Sequence, residues 1–120
     1  MIFEIDNYLS LREAVENVSR VLKERDVPAE RVFDARLVVS ELVGNVLRHA
    51  KTTATLGVEI SGEFLELHVL SNVAFIPPTL SKKAEVFAES GRGLFLVDSV
   101  SEERSATKEG GVLVRIRIAR

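Results

Sequence analysis

At Thr53 the apolar period of this chain changes, and that change bounds the folds open to it. Before it, apolar residues recur with the spacing of helices. From Thr53 onward Leu56, Val58 and Ile60 alternate with polar residues, and after Ser61, Gly62 and Glu63 the residues Leu65, Leu67 and Val69 do the same. Ser61 to Glu63 reads as a hairpin turn by composition and position. Strands that follow one another without an intervening helix favour antiparallel pairing. The expected fold class is therefore α+β, a two-layer sandwich whose mixed, mostly antiparallel sheet carries its helices on one face.

The elements follow in order. Ile2 to Asp6 alternates as a short strand, and the next helix starts with Ser10 and Glu13 spaced as a capping box. Leu11, Val15, Val18 and Leu22 form its apolar stripe, and it is expected to end near Asp26. Pro28 suits the first turn of a second helix, whose body is Phe33 to Ala50. Asn72 to Ser90 breaks the pattern with Pro77, Pro78, Lys82 and Lys83 and is too long for a tight connection. Leu94 to Val100 reads as a short helix, Glu102 to Lys108 as a polar edge strand, and Val112 to Ala119 as a closing strand after Gly110 and Gly111.

The second helix carries the chemistry. Val38, Val39, Leu42, Val43, Val46 and Leu47 form two apolar flanks around a polar stripe of Asp34, Glu41, Asn45, Arg48 and His49. Glu41, Asn45 and His49 stand four residues apart, so they project from one side. Burying a carboxamide or carboxylate without a partner costs about 2 to 7 kcal/mol, so such a stripe faces solvent or meets a ligand, a metal or water. Gly44 lies inside the same helix at a cost of about 1 kcal/mol relative to alanine, which the close approach of a backbone or ligand would explain.

The spacing Glu41, Asn45, His49 within SELVGNVLRHA resembles the N-box of the GHKL (Bergerat-fold) ATPases, and among them the bacterial anti-sigma factor serine kinases. ESGRGLFLV, Glu89 to Val97, looks like the second glycine box of that family. The resemblance runs from about Pro28 to the C-terminus and implies a histidine-kinase-like ATPase fold with ATP and Mg²⁺ as cofactors. On this resemblance Asn45 offers its amide oxygen to the magnesium ion, and Glu41 is the general base. Backbone N–H groups around Gly91, Arg92, Gly93 and Leu94 face the phosphates, as the start of a helix allows. Counting from the hairpin, Asn72 takes the place of the aspartate that receives the adenine amino group in the family. Ala74 and Ile76 stand where the glycines of that first glycine box would be. The implied partners are a sigma factor and an anti-anti-sigma antagonist bearing the substrate serine, and a homodimer is compatible with the family.

Composition excludes other classes. With 120 residues the chain is expected to form a single domain spanning 1–120. A net charge of −2, with basic residues neither clustered nor interleaved with aromatics, argues against direct nucleic-acid binding. There is no cysteine, so disulfides and thiolate metal sites are excluded, and the two histidines form no metal motif. No apolar run approaches the roughly 20 residues of a membrane span, and MIFEIDNYLS has no signal-peptide pattern, so a cytoplasmic location is expected. Two functional readings stay open: an ATP-dependent serine/threonine protein kinase of the anti-sigma type, and a non-catalytic interaction module with the same fold.

Overall fold

The computed structural model describes residues 1–50, 52–72, 91–107 and 111–119. Its elements are β1 (Ile2–Ile5), α1 (Tyr8–Glu24), α2 (Ala29–Asn45), a π-helical turn (Val46–Ala50), β2 (Ala54–Ser61), β3 (Phe64–Ser71), α3 (Gly91–Val100), β4 (Glu103–Ala106) and β5 (Val112–Arg117). The five strands form one sheet in the order β1-β2-β3-β5-β4, and every adjacent pair is antiparallel. The mixed pairing allowed for above is not needed among the described residues.

The period-two segments become the centre of this sheet. Leu56 pairs with Val69, Val58 with Leu67 and Ile60 with Leu65, while Leu67 is also opposite Val114. Ser61 pairs with Phe64, so the hairpin closes through Gly62 and Glu63, and Gly62 has φ 59°, the left-handed region that glycine enters without a Cβ clash. The buried face of the sheet packs against Val15, Val18, Leu22, Val38, Val39, Leu42, Val43 and Val97, in one continuous core with the helices on that face.

The start of α1 differs from the expected one. Asn7, not Ser10, is the N-cap: its Oδ1 accepts the Ser10 N–H at 2.8 Å, and Ser10 Oγ accepts the Asn7 N–H at 3.1 Å. Asparagine offers a short acceptor with little entropy to lose, and Ser10 fills the third helical position of the capping box in place of Glu13. α1 ends at Glu24, and Pro28 caps α2 from outside its first turn. α2 begins four residues before Phe33, and its α-helical part stops at Asn45; the final turn to Ala50 is π-helical. α3 begins at Gly91, three residues earlier than the apolar pattern indicates. Arg36 fastens α1 to α2 by donating to Ser19 Oγ at 2.9 Å and pairing with Glu16 at 3.0 Å. Among the described residues no helix is long and apolar enough to cross a membrane.

Candidate functional site

The rotation of α2 is fixed by aliphatic burial. Val38, Val39, Leu42, Val43 and Val46 are completely buried, each contributing about 1.5 to 3 kcal/mol relative to an exposed position. With those flanks fixed, the stripe between them cannot turn wholly to solvent. Asn45 is entirely buried, and Glu41, one turn earlier, is half-buried. The carboxylate of Glu41 has no hydrogen-bond or ion-pair partner among the described residues. Asp34, on the same helix, belongs to the structure and not to the site: Arg31 Nη1 donates to it at 2.6 Å.

Asn45 is half satisfied. Its Oδ1 accepts a hydrogen bond from Arg48 Nη2 at 2.6 Å, whereas its Nδ2 has no partner among the described residues. A buried amide donor left unpaired costs roughly 1 to 3 kcal/mol, which fits a group held for a ligand. The Arg48 guanidinium also lies over Gly44, where an added Cβ would come within 3.0 Å of Nη1. Gly44 is thus approached by the Arg48 side chain of the following π-helical turn, and not by the backbone or ligand that its place in the helix suggested.

A second orphan lies at the last residue of β3. The connection from Val46 to Thr53 leads from Asn45 into β2, whose first residue, Ala54, pairs with Ser71 at the end of β3. Ser71 has the parity of Leu65, Leu67 and Val69, so it faces the helices; it is buried, and its Oγ has no partner among the described residues. Asn72 has the opposite parity. Its Nδ2 donates to Thr53 Oγ1 at 2.8 Å and its Oδ1 accepts from Thr55 Oγ1 at 3.2 Å, beside Glu4 on the outer face of the sheet. The structure therefore does not bring Asn72 together with Asn45. Ser71 is a buried polar residue that the expected site did not include, and the alternation running from Leu65 through Val69 predicts its inward direction.

Gly91, Arg92, Gly93 and Leu94 form the first turn of α3, whose initial N–H groups have no acceptor within the helix. α3 packs against α2 through the buried Val97. The backbone of His49 belongs to the π-helical turn. Lys82, Lys83, Ala74 and Ile76 lie outside the described residues. His68, on the outer face, stands 3.3 Å from Thr107 Oγ1 and takes no part in the site.

The donor set suits a magnesium ion that arrives with phosphates. No group of three or more His, Cys, Asp or Glu side chains capable of holding a metal occurs among the described residues. Magnesium does not need one: it prefers oxygen ligands and keeps several waters, so a single amide oxygen such as Asn45 Oδ1 suffices beside phosphate oxygens.

Residues 6–118 match the family model described as the histidine kinase-like ATPase domain. No curated protein matches the sequence significantly. Among solved structures, a chain from the crystal structure of the SiaB–SiaC complex from Pseudomonas aeruginosa is similar in fold, with a TM-score of 0.58 and 13% sequence identity, covering 98% of this chain and 88% of that one.

Proposed function

Because the chain belongs to the histidine kinase-like ATPase domain family, we propose that it binds ATP with magnesium against the C-terminal end of α2 and acts as a serine/threonine protein kinase of the anti-sigma type. The observations that carry this reading are two of the three buried polar atoms with no partner among the described residues, Asn45 Nδ2 at the last residue of α2 and Ser71 Oγ at the last residue of β3. Two polar groups left unpaired among the described residues, beside a core that is mainly aliphatic, call for a polar ligand, and a nucleotide supplies both donors and acceptors.

In this reading Asn45 Oδ1 would hold the magnesium ion, which when bound would neutralise phosphate charge. The first-turn N–H groups at Gly91, Arg92, Gly93 and Leu94 orient the phosphates, since helix dipole and free donors both favour an anion there. Glu41 accepts the proton of a serine hydroxyl as that oxygen forms a bond to the γ-phosphorus; the bond from phosphorus to the bridging oxygen breaks and ADP leaves. Adenine meets Ser71, whose hydroxyl accepts one hydrogen bond without the charge of a carboxylate. Neutral hydrogen bonds contribute about 1 kcal/mol against roughly 1.5 to 3 for charged ones, so affinity for the base is modest.

The partners in this reading are a sigma factor and an antagonist protein that carries the serine. A chain of similar fold crystallised in a two-protein complex supports a domain that works through a protein partner. The second reading, a non-catalytic interaction module, is favoured by the absence of a carboxylate at positions 71 and 72. Calorimetric titration with ATP, with and without magnesium, separates the two. Magnesium-dependent binding that disappears in Asn45→Ala supports the nucleotide site, and loss of phosphotransfer with retained binding in Glu41→Ala supports the kinase. No binding at millimolar ATP leaves the interaction module.

A further inference from the structure

Arg48 holds the one oxygen that the cation would need. Its Nη2 is 2.6 Å from Asn45 Oδ1, a charge-assisted contact, and the guanidinium reaches that oxygen by lying back over the bare backbone of Gly44. Magnesium takes an oxygen ligand at about 2.0 to 2.1 Å. Two positive charges on one neutral amide oxygen would stand roughly 4 Å apart, where their repulsion in a partly buried setting outweighs what a single amide oxygen gains. Arg48 and a divalent cation therefore exclude one another at Asn45.

We propose that Arg48 is a positioning residue that reserves Asn45 Oδ1 until a polyphosphate draws the guanidinium away, so that the site takes a divalent cation only together with phosphate. The proposal rests on the reading of Asn45 as the metal-binding residue. Guanidinium is suited to the exchange because its planar fork matches phosphate oxygens in a two-point contact that a single amide oxygen cannot offer. Arg48 is exposed, and its only hydrogen bond among the described residues is the one to Asn45, so it can turn from Asn45 to an anion beside it. The π-helical turn in which it sits begins directly after Asn45 and places it three residues on.

The test uses Mn²⁺ as the probe, followed by paramagnetic resonance on the full chain, first alone and then with ADP or tripolyphosphate. The wild-type chain is expected to bind Mn²⁺ at least about tenfold more weakly without phosphate than with it. Arg48→Met should raise affinity for Mn²⁺ alone by about tenfold or more and shrink the gain from phosphate. Gly44→Ala, which crowds Nη1, should shift both in the same direction by less. Asn45→Ala added to Arg48→Met should abolish the gain. If Arg48→Met leaves affinity for Mn²⁺ alone unchanged while wild type binds Mn²⁺ and ADP in an Asn45-dependent way, the site stands and the proposal falls. If no variant binds Mn²⁺ in either condition, the reading of Asn45 falls and the proposal with it.

Discussion

Asp98 and Arg104 join α3 to β4 through a two-point ion pair, with Nε to Oδ1 at 2.6 Å and Nη2 to Oδ2 at 3.1 Å. The hydrogen bonds from Arg104 hold the Asp98 carboxyl below its ordinary value of 3.8, and burial opposes them only in part. A lowered folded-state pKa means that the pair's contribution is present above about 3.8 and is lost as pH falls through the lower folded value. The pair is partly exposed and screened, so Asp98→Asn should cost about 0.2 to 1 kcal/mol at pH 7. In denaturant titrations the gap between wild type and variant should close as the solution is acidified below the ordinary aspartate range.

Gly57 and Gly111 predict opposite responses to alanine. A Cβ at Gly57 meets His68 at 3.7 Å, an ordinary contact, so Gly57→Ala in the middle of β2 should stabilise by about 0.5 to 1 kcal/mol. At Gly111 the same atom would lie 2.5 Å from the Val69 carbonyl oxygen and 2.6 Å from Leu70 Cδ2. Gly111→Ala should destabilise by about 1 to 3 kcal/mol, because rigid backbone has to move. Thermal melts of the two variants decide it.

Ser71→Ala should separate stability from binding. Removing a buried hydroxyl that has no partner among the described residues leaves the unliganded fold unchanged or stabilises it by about 1 kcal/mol. Nucleotide affinity measured by calorimetry should fall by several-fold in the same variant. Loss of stability instead would mean that Ser71 is satisfied within the protein.

Leu42→Ala should cost about 2 to 5 kcal/mol, since Leu42 is fully buried between the two layers. Asn7→Ala, which removes only the cap of α1, should cost about 1 kcal/mol. Urea midpoints should rank them in that order with little change in slope.

Much of the fold was legible because periodicity reports burial directly. Leu11, Val15, Val18 and Leu22 line the buried face of α1, and the strands from Leu56 to Val69 took the register that their alternation required. What was not legible depended on neighbours. Asn7 and Ser10 compete for the same cap, and only the entry angle of the chain decides between them. The π-helical turn leaves no compositional mark, yet it sets where Arg48 lands. On α2, Glu41 and Asn45 share one side because helix spacing places them there. Counting along a motif leads to Asn72, whereas the pleat sends position 72 outward and position 71 inward.

The strand order has a consequence for how the chain is made. β5 lies between β3 and β4, with Val114 opposite Leu67 on one side and Arg104 on the other. During synthesis α1, α2 and the central hairpin leave the ribosome first, but the hydrogen-bonding edge of β3 stays open until residues 112–117 arrive. A stop codon or proteolytic cut just before Val112 would thus leave an exposed, aliphatic β3 edge, a species prone to aggregate and not a shortened working domain.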